Sequence, residues 1–155
     1  MEKQIYKVTV DYSKPVEGLV KEGKYDWVNP NITSTNFPSK ERGKRKVGIT
    51  LVGFGKDVTS EEAIKQLSKG RLRPATLKEL LSLGTQHPDL QRKDWIVALG
   101  PTWRDSFGYV YVPYLRGVWC FRGLYLYWWR GDWPSRWRFA AVKLDSKTLK
   151  PLDYK

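Results

Sequence analysis

The sequence has very little of what most catalytic and scaffold chemistries require. It holds one cysteine, Cys120, and one histidine, His87, in 155 residues. A disulfide framework needs pairs of cysteines and structural zinc needs about four Cys or His ligands, so neither forms within one chain. The single histidine stands directly before Pro88 in a polar stretch, which reads as a solvated loop and offers no triad. G-x-S-x-G, Walker-type and G-x-G-x-x-G loops are absent. No apolar run approaches the roughly 18 residues of a membrane span, and Met1 to Lys7 lacks the apolar segment of a secretory signal. These absences predict a soluble cytoplasmic protein without membrane insertion, without a cofactor or metal, and without enzymatic activity. Asparagine does not occur after Asn36, and lysine is missing between Asp94 and Lys143.

What is present is basic and aromatic. Lys and Arg number 28 against 16 Asp and Glu, a formal charge of +12, and the chain is 41% hydrophobic and 14% aromatic. That composition and length predict one domain, residues 1–155, with a full core. Residues 103–139 differ from the rest: they hold 14 aromatics, six of the eight tryptophans, six arginines, two acids and no lysine. Residues 103–144 are therefore the expected binding region.

Local patterns predict an α+β fold, two helices packed on a mainly antiparallel sheet. Gln4 to Val10 and Val47 to Phe54 read as strands, with loop chemistry over residues 29–39. Pro15 to Glu22 reads as a short helix that stops at Gly23. Two capping boxes, Thr59 with Glu62 and Thr76 with Glu79, open the main helices, which end near Gly70 and Gly84. Strands are predicted over residues 95–99, 107–112, 119–121, 123–129 and 137–144, with turns at Arg116-Gly117 and at residues 130–135.

In the strand Gly123 to Trp129, period two sets Leu124, Leu126 and Trp128 on a core face and Tyr125, Tyr127 and Trp129 on an outer one. Arg130, Arg136 and Trp137 follow. Tyr, Trp and Arg give rigid contact area and planar, bidentate charge, the usual anchors of binding surfaces. A contact surface of Arg116, Trp119, Arg122, Tyr125, Tyr127, Trp129, Arg130, Arg136 and Trp137 is expected, with a protein or other macromolecule as ligand. The plainer reading is that these aromatics are core and the arginine stems cover it. Nucleic acid is the alternative partner, through Lys40-Glu41-Arg42-Gly43-Lys44-Arg45-Lys46 and base stacking. Carbohydrate stacking on exposed tryptophan is a further reading. Cys120 reads as a small buried apolar residue, and Arg130-Gly131-Asp132 as a chance tripeptide.

The segments Gly70-Arg71-Leu72-Arg73-Pro74-Ala75-Thr76-Leu77-Lys78-Glu79-Leu80-Leu81, Ile96-Val97-Ala98-Leu99-Gly100, Gly131-Asp132-Trp133 and Arg138-Phe139-Ala140-Ala141-Val142 resemble the variable proteins of diversity-generating retroelements. The likeness runs from about Lys69 to Leu144, with a weaker extension through Tyr25-Asp26-Trp27-Val28-Asn29 and Phe37-Pro38. It implies a C-type lectin fold related to formylglycine-generating-enzyme domains. It also implies that reverse transcription of a template repeat, with errors at adenines, diversifies Tyr125, Tyr127, Trp129, Arg130, Arg136 and Trp137. Leu124, Leu126, Trp133, Phe139, Ala141 and Val142 would be the constant frame. The chain lacks the E-P-N and W-N-D patterns of calcium-dependent sugar-binding lectins, and Asp132 and Asp145 alone do not make a site of six to eight oxygens.

Overall fold

The alternating stretch near the N-terminus becomes one partner of the longest strand pair. The computed structural model describes residues 1–144; the last part of the expected domain, residues 145–155, lies outside them. In chain order the elements are β1 (Glu2–Asp11), α1 (Val16–Glu22), β2 (Trp27–Val28), β3 (Lys44–Gly53), β4 (Val58–Thr59), α2 (Ser60–Lys69), β5 (Leu72–Pro74), α3 (Leu77–Gln86), α4 (Leu90–Lys93), β6 (Ile96–Val97), β7 (Trp103–Arg104), β8 (Val110–Val118), β9 (Phe121–Trp128), β10 (Asp132–Trp133) and β11 (Arg138–Lys143). The protein is α+β. Among the described residues a nine-stranded sheet runs β1-β3-β11-β6-β8-β9-β2, with β5 added to β11 and β7 to β8, while β10 pairs with β4. Two of these pairs, β11 with β6 and β2 with β9, are parallel. The other pairs are antiparallel.

Both capping boxes form as the sequence predicts. Thr59 accepts from Glu62 N and Thr76 from Glu79 N, and each glutamate returns a bond to its cap. Glu79 does more: wholly buried, it takes a bidentate pair from Arg73 at 2.9 and 2.8 Å and the Tyr12 hydroxyl at 2.6 Å. A buried carboxylate is tolerable when its lone pairs are filled in this way. Helix α3 runs two residues past Gly84, and His87 follows as its C-cap, with Nε2 3.0 Å from Lys7 O and the ring against Tyr6. His87 is thus a half-buried packing residue rather than a solvated one.

The sheet separates two cores. On one face α1 and α3 cover Val8, Val10, Ile49, Leu115 and Leu124. The opposite face of β8, β9 and β11 gathers Val112, Tyr114, Trp133, Trp137 and Phe139. Helix α2 packs apart from α3, with Leu67 against Val52, Leu72 and Ala141. The two capping-box helices therefore do not share one layer. Helix α4, which the sequence did not suggest, is only four residues long, too short to show a hydrophobic period.

One turn assignment changes. Strand β8 continues through Arg116 and Gly117, and the chain reverses at Trp119 and Cys120 instead, between Val118 and Phe121. Gly117 is a close-approach glycine: a Cβ there would stand 3.0 Å from Gln91 O and 3.1 Å from the Arg92 Cα. Its small size lets α4 lie on the strand, and has nothing to do with chain reversal. Cys120, at the hairpin tip, is exposed rather than buried.

Among the described residues no helix is long and apolar enough to cross a membrane.

Candidate functional site

The expected outer face of β9 is the face that carries the second core. Antiparallel register sets Tyr114 opposite Tyr125 and Val112 opposite Tyr127, so these side chains share one side of the hairpin. The chain returning through residues 131–137 lays two tryptophans on them. Trp137 lies 4.9 Å from Tyr114, 5.7 Å from Tyr127 and 4.7 Å from Trp133 between ring centroids. The indole N–H of Trp133 donates to Ser60 Oγ at 2.8 Å, and that hydroxyl donates to Trp129 O at 2.7 Å. One buried serine thus ties the aromatic layer to the start of α2.

Burial divides the nine predicted contact residues. Trp137 is 3% exposed and Arg122 6%, which removes both from the surface. Arg122 sits instead where two helices end: its guanidinium donates to Gly23 O and Gly84 O at 2.7 and 2.6 Å and stacks 4.7 Å from the Tyr25 ring centroid. Carbonyls at helix C-termini carry partial negative charge, so the cation is compensated by backbone dipoles. The sequence reading missed this because those carbonyls come from distant α1 and α3. Burial pushes the Tyr25 hydroxyl up to about 12, against the opposing effect of Arg122.

Tyr125 and Trp129 are half-buried. Tyr125 is sandwiched by Trp27 at 5.0 Å and Tyr114 at 5.3 Å, while Trp129 packs on the second core.

Five candidates reach solvent: Arg116 partly, and Trp119, Tyr127, Arg130 and Arg136 as exposed residues. Trp119 is 89% exposed at the hairpin tip, with a positive φ of 56°. It is the first residue of a two-residue turn, a position that in hairpins favours glycine, and a bulky side chain there is strained. Tyr127 is 44% exposed.

Three groups that the sequence reading did not assign to the site belong to its surroundings. Trp95 receives two arginines, Arg116 at 4.4 Å and Arg136 at 4.3 Å from a ring centroid, and its edge abuts Trp137. No sequence period links residues so far apart. Trp128, expected in the core, is exposed at the end of β9; it stacks on Tyr109 at 5.8 Å with planes 15° apart. Phe107 is also exposed, in a turn whose Asp105 carboxylate accepts from Phe107 N and Tyr109 N.

The electrostatics are one-sided. Arg138 meets Glu2 at 2.8 Å and Asp94 at 4.0 Å, but among the described residues Arg116, Arg130 and Arg136 form no ion pair. Burial raises the Tyr114 hydroxyl above its ordinary value, with Arg116 opposing. The basic run divides as well: Arg45 lies 4.5 Å over the Tyr12 ring, leaving Lys40, Arg42, Lys44 and Lys46 exposed. Among the described residues no three His, Cys, Asp or Glu side chains cluster as metal ligands.

No family model matches the chain, and no curated protein or solved structure matches it either.

Proposed function

We propose that this chain is a non-catalytic ligand-binding protein, the variable protein of a diversity-generating retroelement, presenting a Tyr, Trp and Arg surface on a C-type lectin-like frame to a protein or other macromolecule. The observation that carries this reading is the set of exposed Trp119, Tyr127, Arg130 and Arg136 with half-exposed Arg116, the arginines free of ion pairs, on elements whose Leu124, Trp133, Phe139, Ala141 and Val142 are buried. Large aromatics and unmatched arginines exposed together mark a contact surface. The frame residues are those expected to be constant. Trp119, Arg130 and Arg136 are exposed outside both cores, while Tyr127 also lies against the second core, 5.2 Å from Trp133 and 5.7 Å from Trp137 between ring centroids. Trp137 and Arg122 belong to the frame in this account.

The neighbouring DNA tests the origin. A near-copy of the codons for Arg116 to Val142, mismatched only at template adenines and beside a reverse transcriptase gene, is expected, with mismatches at surface codons and none at the codon for Trp137. A neighbourhood without such a copy removes the retroelement origin. Binding is tested separately: ligands selected from a displayed protein library should be lost on Trp119→Ala while the melting temperature stays within a few degrees, and lost also on Tyr127→Ala, which in addition gives up ring contacts with Trp133 and Trp137.

Nucleic acid remains the second reading, favoured by Tyr109 stacked on Trp128 beside Arg104 and Arg130. It requires oligonucleotide affinity that falls steeply with salt.

A further inference from the structure

The pairing of Arg116 and Arg136 on one indole is the feature that says most about the ligand. Each guanidinium carbon lies under 4.5 Å from a Trp95 ring centroid. The two therefore stand within about 9 Å of each other, close to the Debye length of ~8 Å in physiological salt, where like charges still repel. They reach Trp95 from different elements, Arg116 from β8 and Arg136 from the segment before β11. The acids of the region do not neutralise them. Asp105 is taken by two backbone N–H groups and the Tyr111 hydroxyl. Asp94 serves Arg138 at 4.0 Å. Asp132 joins no ion pair among the described residues.

We infer that Arg116 and Arg136, seated on Trp95, form a clamp for a carboxylate, and that the ligand is an acidic protein segment presenting a Glu or Asp side chain there. This rests on the proposed ligand-binding function and names the chemistry that its surface selects. Planar guanidinium forks pair bidentately with a carboxylate, and stacking on a ring holds their planes in place before the ligand arrives. A carboxylate that pairs with both guanidinium groups relieves their repulsion. The adjoining Tyr114 is nearly buried and Trp137 more so, which leaves the exposed Tyr127 ring for apolar contact beside the charge. The exposed Trp128 alternates to the other face of β9 and stacks on Tyr109, so among the described residues no row of open ring faces runs past these two arginines. Single-stranded nucleic acid needs such a row and a track of cations, so the carboxylate of a protein is favoured over a nucleic-acid phosphate.

The test uses arginine side-chain Nε–H signals in NMR spectra of the full chain, assigned through Arg116→Lys and Arg136→Gln. A short blocked oligoglutamate is the probe, with oligoglutamine, inorganic phosphate and oligothymidylate as comparisons. Oligoglutamate should move both signals saturably and oligoglutamine neither. Arg136→Gln, at an exposed position, should weaken binding about tenfold, and Arg116→Lys, which keeps charge without the fork, several-fold. Unmoved signals overturn the clamp. So does tighter binding of oligothymidylate or of inorganic phosphate, which reassigns the pair to a nucleic-acid strand or a free anion. The two proposals fail separately. Selected ligands that are lost with Tyr127→Ala but ignore Arg136→Gln leave the binding surface standing and remove the clamp. Oligoglutamate that moves the arginine signals, with selected ligands indifferent to Trp119→Ala and Tyr127→Ala, does the reverse.

Discussion

The ring of Tyr125 occupies the space that a side chain at Gly123 would fill: a Cβ there would stand 2.3 Å from the tyrosine Cε2. The two residues are neighbours on one face of β9, and the ring folds back over the glycine to meet Trp27 and Tyr114. The position of this half-buried tyrosine is therefore set by an absence of atoms one pleat away.

Gly123→Ala should swing that ring out and separate it from Trp27 and Tyr114. The expected cost is about 1–3 kcal/mol, the range for an overpacked site, measured as a lower urea midpoint with an unchanged slope. Because the displaced ring borders the proposed surface, ligand affinity should fall too. Unaltered stability would mean that the ring has room to move without loss.

Arg122 and Arg136 are both arginines of the same segment, yet their substitution should differ sharply. Arg122→Met leaves the carbonyls of Gly23 and Gly84 without their donor in a buried site, and should cost on the order of 2–4 kcal/mol. Arg136→Gln, at the surface, should remain within about 0.5 kcal/mol. Chemical denaturation of the two variants separates a structural cation from a ligand-facing one, and equal effects would contradict the assignment.

Trp119 offers a test in which stability and binding move apart. Its positive φ costs a bulky residue roughly 1 kcal/mol that glycine does not lose, so Trp119→Gly should fold at least as stably as the parent while selected ligands bind far more weakly. A clear drop in melting temperature would show that the indole is holding the hairpin together.

Tyr25 gives stability a dependence on alkaline pH. Its hydroxyl is pushed up to about 12 by burial, while in the unfolded chain it ionises near 10. Between these values the unfolded state releases a proton that the folded state keeps, so stability falls as pH rises from about 10 to about 12. Tyr25→Phe should lessen that decline, read as the difference in urea midpoints near pH 9 and pH 11.5.

The helices were legible because their signals are local. Thr59 with Glu62 and Thr76 with Glu79 satisfy backbone donors within one turn, and Gly70 caps the helix it follows. The alternation of β9 was legible too: Leu124 and Leu126 pack on one core while Tyr125 and Trp129 pack on the other. Gly117 misled because a glycine that admits a neighbouring helix is spelled like one that turns the chain. Trp128 misled because period two gives a side of the strand and not the extent of the layer covering it.

By itself the sequence determined the α+β class, the capped helices and the concentration of aromatic and arginine residues in 103–139, all of which depend on neighbours along the chain. Which of those residues touch water was decided by the tertiary structure. Arg122 became an interior cap because two helix ends converge on it, Trp137 became core because the returning chain covers Tyr114, and Arg116 and Arg136 became a pair because both reach Trp95. Burial and charge pairing depend on distances through space, and residues of one type carry no mark in the chain of which surroundings the fold will give them.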